Sequence, residues 1–179
     1  MKKLKRKSPA PPLTLKPKSA NDSVAIMTQM ILPSDANPLN AAFGGRVMEW
    51  IDICGGIAAQ RHCRHIVVTA SMDELHFHAS IRVGWTVTLK ARVLAAFHSS
   101  MEVGVTVMAE NPFTGETSLT TSALLTFVGL NQDGSRATVP PLRMDTEAER
   151  EAFHEAQERR EARLAHKSKR GVWQKLMGG

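Results

Sequence analysis

The stretch "NPLNAAFGGRVMEWIDICGGIAAQRH", residues 37–62, decides how this chain folds. Behind a Gly44-Gly45 entrance it reads as one long apolar helix, from about Gly44 to His62. A carboxylate, Asp52, stands in the middle of it. Between Val47 and Ala59 the polar side chains are Glu49, Asp52 and the indole N–H of Trp50. Met48, Gly55, Gly56 and Ala59 surround Asp52 at spacings of three, four and seven, so its neighbours on the helix are apolar or very small. A buried carboxylate without partners is costly, and one in this position has to meet hydrogen-bond donors or lose its charge.

Outward from the helix the pattern changes to strands. "VAIMTQMIL" (24–32) is rich in strand formers and is stopped by the turn residues of "PSDANP". Downstream, residues 65–77, 85–97, 100–111 and 117–130 read as four strands with short gaps, and the last three should form an antiparallel meander. Val87, Leu89, Ala91 and Val93 alternate with Thr88, Lys90 and Arg92, and Met101, Val103, Val105 and Val107 share one face in the same way. One strand, one long helix and four more strands make an α+β fold in which a curved antiparallel sheet of about five strands wraps a central helix. Residues 145–169 predict a charged C-terminal helix, acidic early and basic late, with Glu155 and Arg159 at i,i+4. On charge pattern alone it reads as a solvated face.

The 179 residues suffice for one domain with a sizeable core. Domain boundaries follow composition: a disordered basic, Pro-rich arm over 1–22, a body over 23–143, and a charged helix and tail over 144–179. The formal charge of +6 comes from the arm, because residues 1–20 carry seven Lys or Arg and no acid. Without it the body is close to neutral, so charge does not point the body toward nucleic acid or membrane. A polyanion-binding role for the arm is a side reading. No apolar run approaches the roughly 20 residues of a membrane-spanning helix, and no secretory signal pattern is present. Cys54 and Cys63, nine apart on the helix, face different directions, and a reducing cytoplasm is the expected setting.

Two further features point to chemistry. The small residues beside Asp52 suggest a helix face that a backbone or thin ligand can approach. At the helix entrance, the free N–H groups near Gly44 and Gly45 suit a developing oxyanion, and Asn37 in the preceding loop can position a water or a carbonyl. A carboxylate, an amide and a helix N-terminus are the parts needed to hydrolyse an activated acyl group without a Ser or Cys nucleophile.

"DANPLNAAFGGRVMEWIDICGGIAA", with "VVTASMDELHF", "IRVG", "SSMEV" and "FVGLNQDG…VPPL", resembles the acyl-CoA thioesterases of the hotdog-fold superfamily, in the branch of cytosolic acyl-CoA hydrolases. The likeness runs over about residues 24–165. It implies a hotdog fold, dimers whose sheets join edge to edge, and three such dimers in a hexamer. It further implies hydrolysis of acyl-CoA to free CoA and fatty acid, with CoA as substrate and product and no metal or other cofactor. The matching catalytic positions are Asn37 and Asp52, acting from different protomers, with Asp52 a general base or a nucleophile. The family's CoA-binding segments fall on Val68, Thr69, Ala70 and Ser71 and on His98, Ser99, Ser100 and Met101, with Arg159 or Arg160 for CoA phosphate. Two departures are visible. Asn40 replaces the loop glycine of "DxNxxGxxFGG", and "FHASIRVGW" stands where the family has "FxRPxxVGD", losing its Pro and Asp. A non-catalytic acyl-CoA sensor on the same fold is the alternative reading.

The remaining signals read blandly. His62, His65, His76 and His78 lack the acids or thiols of a tetrahedral metal site, and "RHCRH" (61–65) reads as positive charge capping a helix C-terminus. Met48 and Met72 are candidate linings for an acyl chain.

Overall fold

The structure, a computed structural model, describes residues 15–167. The basic arm before residue 15 lies outside the described residues, as does the tail after 167 with Trp173 and Leu176. In chain order the elements are β1 (Lys18–Ser19), β2 (Ala25–Met30), α1 (Gly44–Cys63), β3 (Ile66–Phe77), β4 (Thr86–Ala96), β5 (Ser100–Glu110), β6 (Thr117–Leu130), β7 (Leu142–Arg143) and α2 (Glu147–Lys167). Five strands form one antiparallel sheet in the order β2-β4-β5-β6-β3. β4, β5 and β6 are the expected meander.

Alternation fixes the faces. Val87, Leu89, Ala91 and Val93 of β4 are all 0% exposed, as are Met101, Val103 and Val107 of β5. They meet Val47, Ile51, Cys54 and Ala58 of α1 in one apolar core. Each such Val or Leu contributes about 1.5–3 kcal/mol relative to an exposed position, so this face dominates the fold's stability. α1 ends where Arg64 turns left-handed at φ 60° and its N–H returns to the Gln60 carbonyl.

Three boundary or surface expectations need correction. The folded body begins by Lys18, not at residue 23, because β1 pairs in parallel with β7 and Ala20 is 1% exposed. Ser23 fixes this segment by donating to the Ala20 carbonyl and accepting from the Val93 N–H. At the other end, residues 144–167 do not stand apart as a solvated helix. α2 lies across the outer sheet face, with Ala156 fully buried, Phe153 against Phe97, and the ion pairs Arg92–Glu149, Glu102–Arg159 and Asp73–Arg163. Finally, His62 is not a charged cap. Its side chain is buried with Nε2 donating to the Pro140 carbonyl, and burial pushes its pKa down.

Candidate active site

The loop entering α1 is built around two side chains. Asp35 is nearly buried, accepts the Leu32 N–H and pairs with Arg46, while its backbone carbonyl accepts the Phe43 N–H. This anchors both ends of the loop. Between them the Asn37 N–H reaches the Ala41 carbonyl at 2.8 Å, closing a turn in which Asn40 adopts φ 56°. Asn40 therefore supplies the left-handed conformation that a glycine usually provides. The Asn37 side-chain oxygen accepts the N–H groups of Leu39 and Ala41. Its amide N–H₂ has no partner among the described residues, so Asn37 offers donors and not an acceptor.

Asn37 and Gly44 line one cleft of about 340 Å³ together with Val47, Phe77 and Ser80. The N–H groups of Gly44 and Gly45 have no acceptor among the described residues, as expected at a helix N-terminus. Gly44 has a packing reason too, since a Cβ there would meet the Phe77 ring at 3.4 Å.

Asp52 is elsewhere. Eight residues along α1 from Gly44 is about 12 Å of rise, and Asp52 is outside the cleft that holds Asn37. Its partner is Thr69 of β3, whose hydroxyl donates to Asp52 Oδ1 at 2.5 Å. The second carboxylate oxygen is free of partners among the described residues. Asp52 is half-buried, and the flanking Met48 and Ile53 are 39% and 46% exposed. The small residues beside it are not a bare face: a Cβ on Gly55 would lie 3.0 Å from the Phe127 ring, and Ala58 and Ala59 are fully buried. Their size makes room for Phe127, a packing partner 72 residues downstream that periodicity does not reveal.

The two candidate CoA segments come together across β6. Val68 pairs with Val128, which pairs with Ser100, and Thr69 aligns through Phe127 with Met101. Two strand spacings separate them, about 10 Å. Val68, Thr69 and Ala70 are exposed, Ser71 is half-buried, and Ala70 bulges from the ladder. In the turn, the carbonyls of His98 and Ser99 already accept the N–H groups of Val139 and Gly129. The side chain of Met101 is wholly buried and packs in the core. Arg160 stacks over Phe97 at 4.7 Å, beside this turn. Arg159 points the other way: both its Nε and one terminal nitrogen donate to the buried Glu102. Arg159 is thus a docking residue of α2.

Cys54 is buried with its thiol near the Ala25 and Leu89 carbonyls, and burial pushes its pKa up, so it is held as a neutral thiol. Asp35 and Arg46 are the organising residues that sequence reasoning left unnamed. The available signal was the Asp of the loop pattern itself, two residues before Asn37.

One long helix against one face of a five-stranded antiparallel sheet in this order is the hotdog fold. Residues 39–115 match the thioesterase superfamily. An uncharacterized acyl-CoA thioester hydrolase of Bacillus subtilis is 41% identical over 128 residues, 72% of this chain and 74% of that protein. The chain belongs to this family of acyl-CoA thioester hydrolases. It spans only 40% of the cytosolic acyl coenzyme A thioester hydrolase of Mus musculus, at 35% identity, and 26% of the acetyl-coenzyme A thioesterase of the same species. Among solved structures, the acyl-CoA hydrolase of Bacillus cereus has 34% identity and a TM-score of 0.84, covering 90% of this chain and 98% of that one. A hexameric acyl-CoA thioesterase has 35% identity and a TM-score of 0.81, covering 88% and 99%. The acyl-CoA hydrolase of Staphylococcus aureus, solved with butyryl coenzyme A and coenzyme A, has 30% identity and a TM-score of 0.81, covering 90% and 99%. Single alanine variants of that enzyme replace an asparagine, an aspartate 15 residues after it, and a threonine 17 residues after the aspartate.

Proposed function

We propose that this protein hydrolyses acyl-CoA thioesters to free CoA and a carboxylic acid, with Asp52 as general base. The observation that carries the reading is the hydrogen bond from Thr69 to Asp52. It fixes one carboxylate oxygen and leaves the other to take a proton from water. Asn37, Asp52 and Thr69 follow one another at 15 and 17 residues, the spacings of the asparagine, aspartate and threonine replaced in the S. aureus enzyme.

In the proposed reaction a water oxygen attacks the thioester carbon while its proton moves to Asp52. The carbonyl oxygen takes the negative charge, stabilised by the Asn37 amide N–H₂ and the Gly44 and Gly45 N–H groups. Donors are what an oxyanion needs, which assigns Asn37 to the carbonyl and not to the water. The C–S bond then breaks, and the proton held by Asp52 passes to the CoA sulfur.

The roughly 12 Å between the two ends of the machinery along α1 fits a site completed by a second protomer. The free outer edge of β3, with Ile66 and Val68 54% and 44% exposed, and the exposed Met48 and Ile53 of α1 are surfaces that such a partner would cover. We take the assembly to be a dimer and then a trimer of dimers, with acyl-CoA as the ligand, no part played by membrane or nucleic acid, no added cofactor, and a cytoplasmic setting. None of the described helices is long and apolar enough to cross a membrane. Segments 68–71 and 98–101 would bind the pantetheine, with the His98 and Ser99 N–H groups as donors and Arg160 near the phosphates.

The test is thiol release from a panel of acyl-CoAs of increasing chain length. Cleavage of some member, lost at least about 100-fold in Asp52→Ala and in Asn37→Ala with folding and assembly intact, supports the reading. CoA binding with no cleavage of any member would sink it and leave an acyl-CoA sensor.

A further inference from the structure

β3 differs from every other strand of the sheet in carrying two bulges close together. The register slips between Thr69 and Ser71 and again between Met72 and Glu74, so Ala70 and Asp73 are the extra residues. Each extra residue inverts the alternation of the strand, and two restore it. Thr69 faces α1, opposite Phe127, where it meets Asp52, while Ser71, between the bulges, is turned outward opposite Thr126. The second bulge is pinned from outside. Asp73 Oδ1 accepts the Ser71 hydroxyl at 2.9 Å, and Oδ2 accepts the Thr126 hydroxyl at 2.8 Å and a guanidinium N–H of Arg163. Its anchors are its own strand, the neighbouring strand β6 and helix α2. The Asp73 and Arg163 side chains are 15% and 17% exposed, so the pair is largely shielded from water.

We propose that Asp73, held by Arg163, is a positioning residue for thioester hydrolysis: it locks the double bulge that aims Thr69 at Asp52 and shapes the 68–71 segment. The inference rests on the functional reading above. A bulged residue has lost its ladder partner, so its place is set by its side chain. A carboxylate with three donors from three elements sets it more rigidly than any apolar residue would. α2 thereby reaches the catalytic face through the sheet without touching substrate.

Non-additivity tests this. Asp73→Asn should lower kcat about tenfold, as expected for a catalytic group displaced by less than an ångström. In a Thr69→Val background the same change should cost less than about twofold, because the group it positions is gone. Arg163→Gln should act in the same direction and Arg163→Lys should restore most of the rate; these also serve if Asp73→Asn does not fold. An equal loss in both backgrounds would reduce Asp73 to a fastening for α2 and overturn the proposal. Amide hydrogen exchange gives a readout without activity. Asp73→Asn should speed exchange across 68–72 about tenfold and leave 103–107 unchanged, and unaltered exchange at 68–72 would also overturn the proposal. If the intact protein cleaves no acyl-CoA, the thioesterase reading fails by itself, and exchange alone decides whether Asp73 locks the bulges.

Discussion

The two helices lie on opposite faces of one sheet and are held by different physics. α1 buries Val47, Ile51, Cys54, Ala58 and Ala59 against the inner face and reaches the sheet with one carboxylate, Asp52 to Thr69, while Glu49 pairs with Arg46 on the helix itself. α2 is charged along its length, fully buries a single alanine among the described side chains, and is fastened by ion pairs to β4, β5 and β3 in turn. Apolar contact needs no particular partner and therefore decides the fold. Ion pairs act between named atoms and therefore set register and placement, here of the strand that carries Thr69.

Ile51→Ala, in the middle of the apolar helix, should have the largest effect, about 2–5 kcal/mol of stability lost by denaturant unfolding. The corresponding change on α2 is Arg159→Ala, which leaves Glu102, 1% exposed, without its partner. We expect a loss of about 2 kcal/mol, reduced from a fully buried pair because Arg159 itself is 22% exposed. Arg150→Ala, in the exposed pair with Glu147, should change stability by less than about 0.5 kcal/mol. Equal effects from Arg159 and Arg150 would mean that the buried pair has no special weight.

At the end of α1, His62 makes a prediction about pH. Burial lowers its folded pKa below the usual 6.5, so below that pH the unfolded chain binds the extra proton. Stability should be full above about pH 6.5 and fall as the pH drops toward the folded pKa, by up to about 1.4 kcal/mol per pH unit. Thermal unfolding at pH 7.5 and 5.5 should show a drop that His62→Gln makes smaller. The loop before α1 is tested through its backbone conformation. Asn40→Gly should be close to neutral, whereas Asn40→Ala should cost about 1 kcal/mol for a left-handed residue, read as a lowered Tm.

What could be read from sequence divides along the same line. The apolar alternation of β4 and β5 and the Gly44 entrance of α1 were legible because burial imposes a period on a single strand or helix. The tolerance of Asn40 for a positive φ was legible from residue type. The double bulge of β3 was not, because Ala70 and Asp73 look like ordinary strand residues until β6 is laid beside them. Nor was the docking of α2, since Arg159 and Arg163 carry no mark that distinguishes a residue paired across the sheet from one in solvent. Ser19 to Asp22 were absorbed into the arm because four polar and small residues have no period. Of the candidate site, the sequence pattern singles out Asn37 and Asp52, whereas the hydrogen bond from Thr69 to Asp52 joins residues 17 apart on different elements.

The central claim is that Asn37 of one protomer and Asp52 of another serve one active site. Co-expressing Asn37→Ala and Asp52→Ala chains under different tags and isolating the mixed assemblies tests it most directly. In a mixed dimer one site has lost both residues and the other has kept both, so isolated mixed dimers should recover about half of the activity of the intact protein, and mixed hexamers whose dimers pair at random about a quarter. Mixed assemblies no more active than the two inactive parents would contradict the shared site.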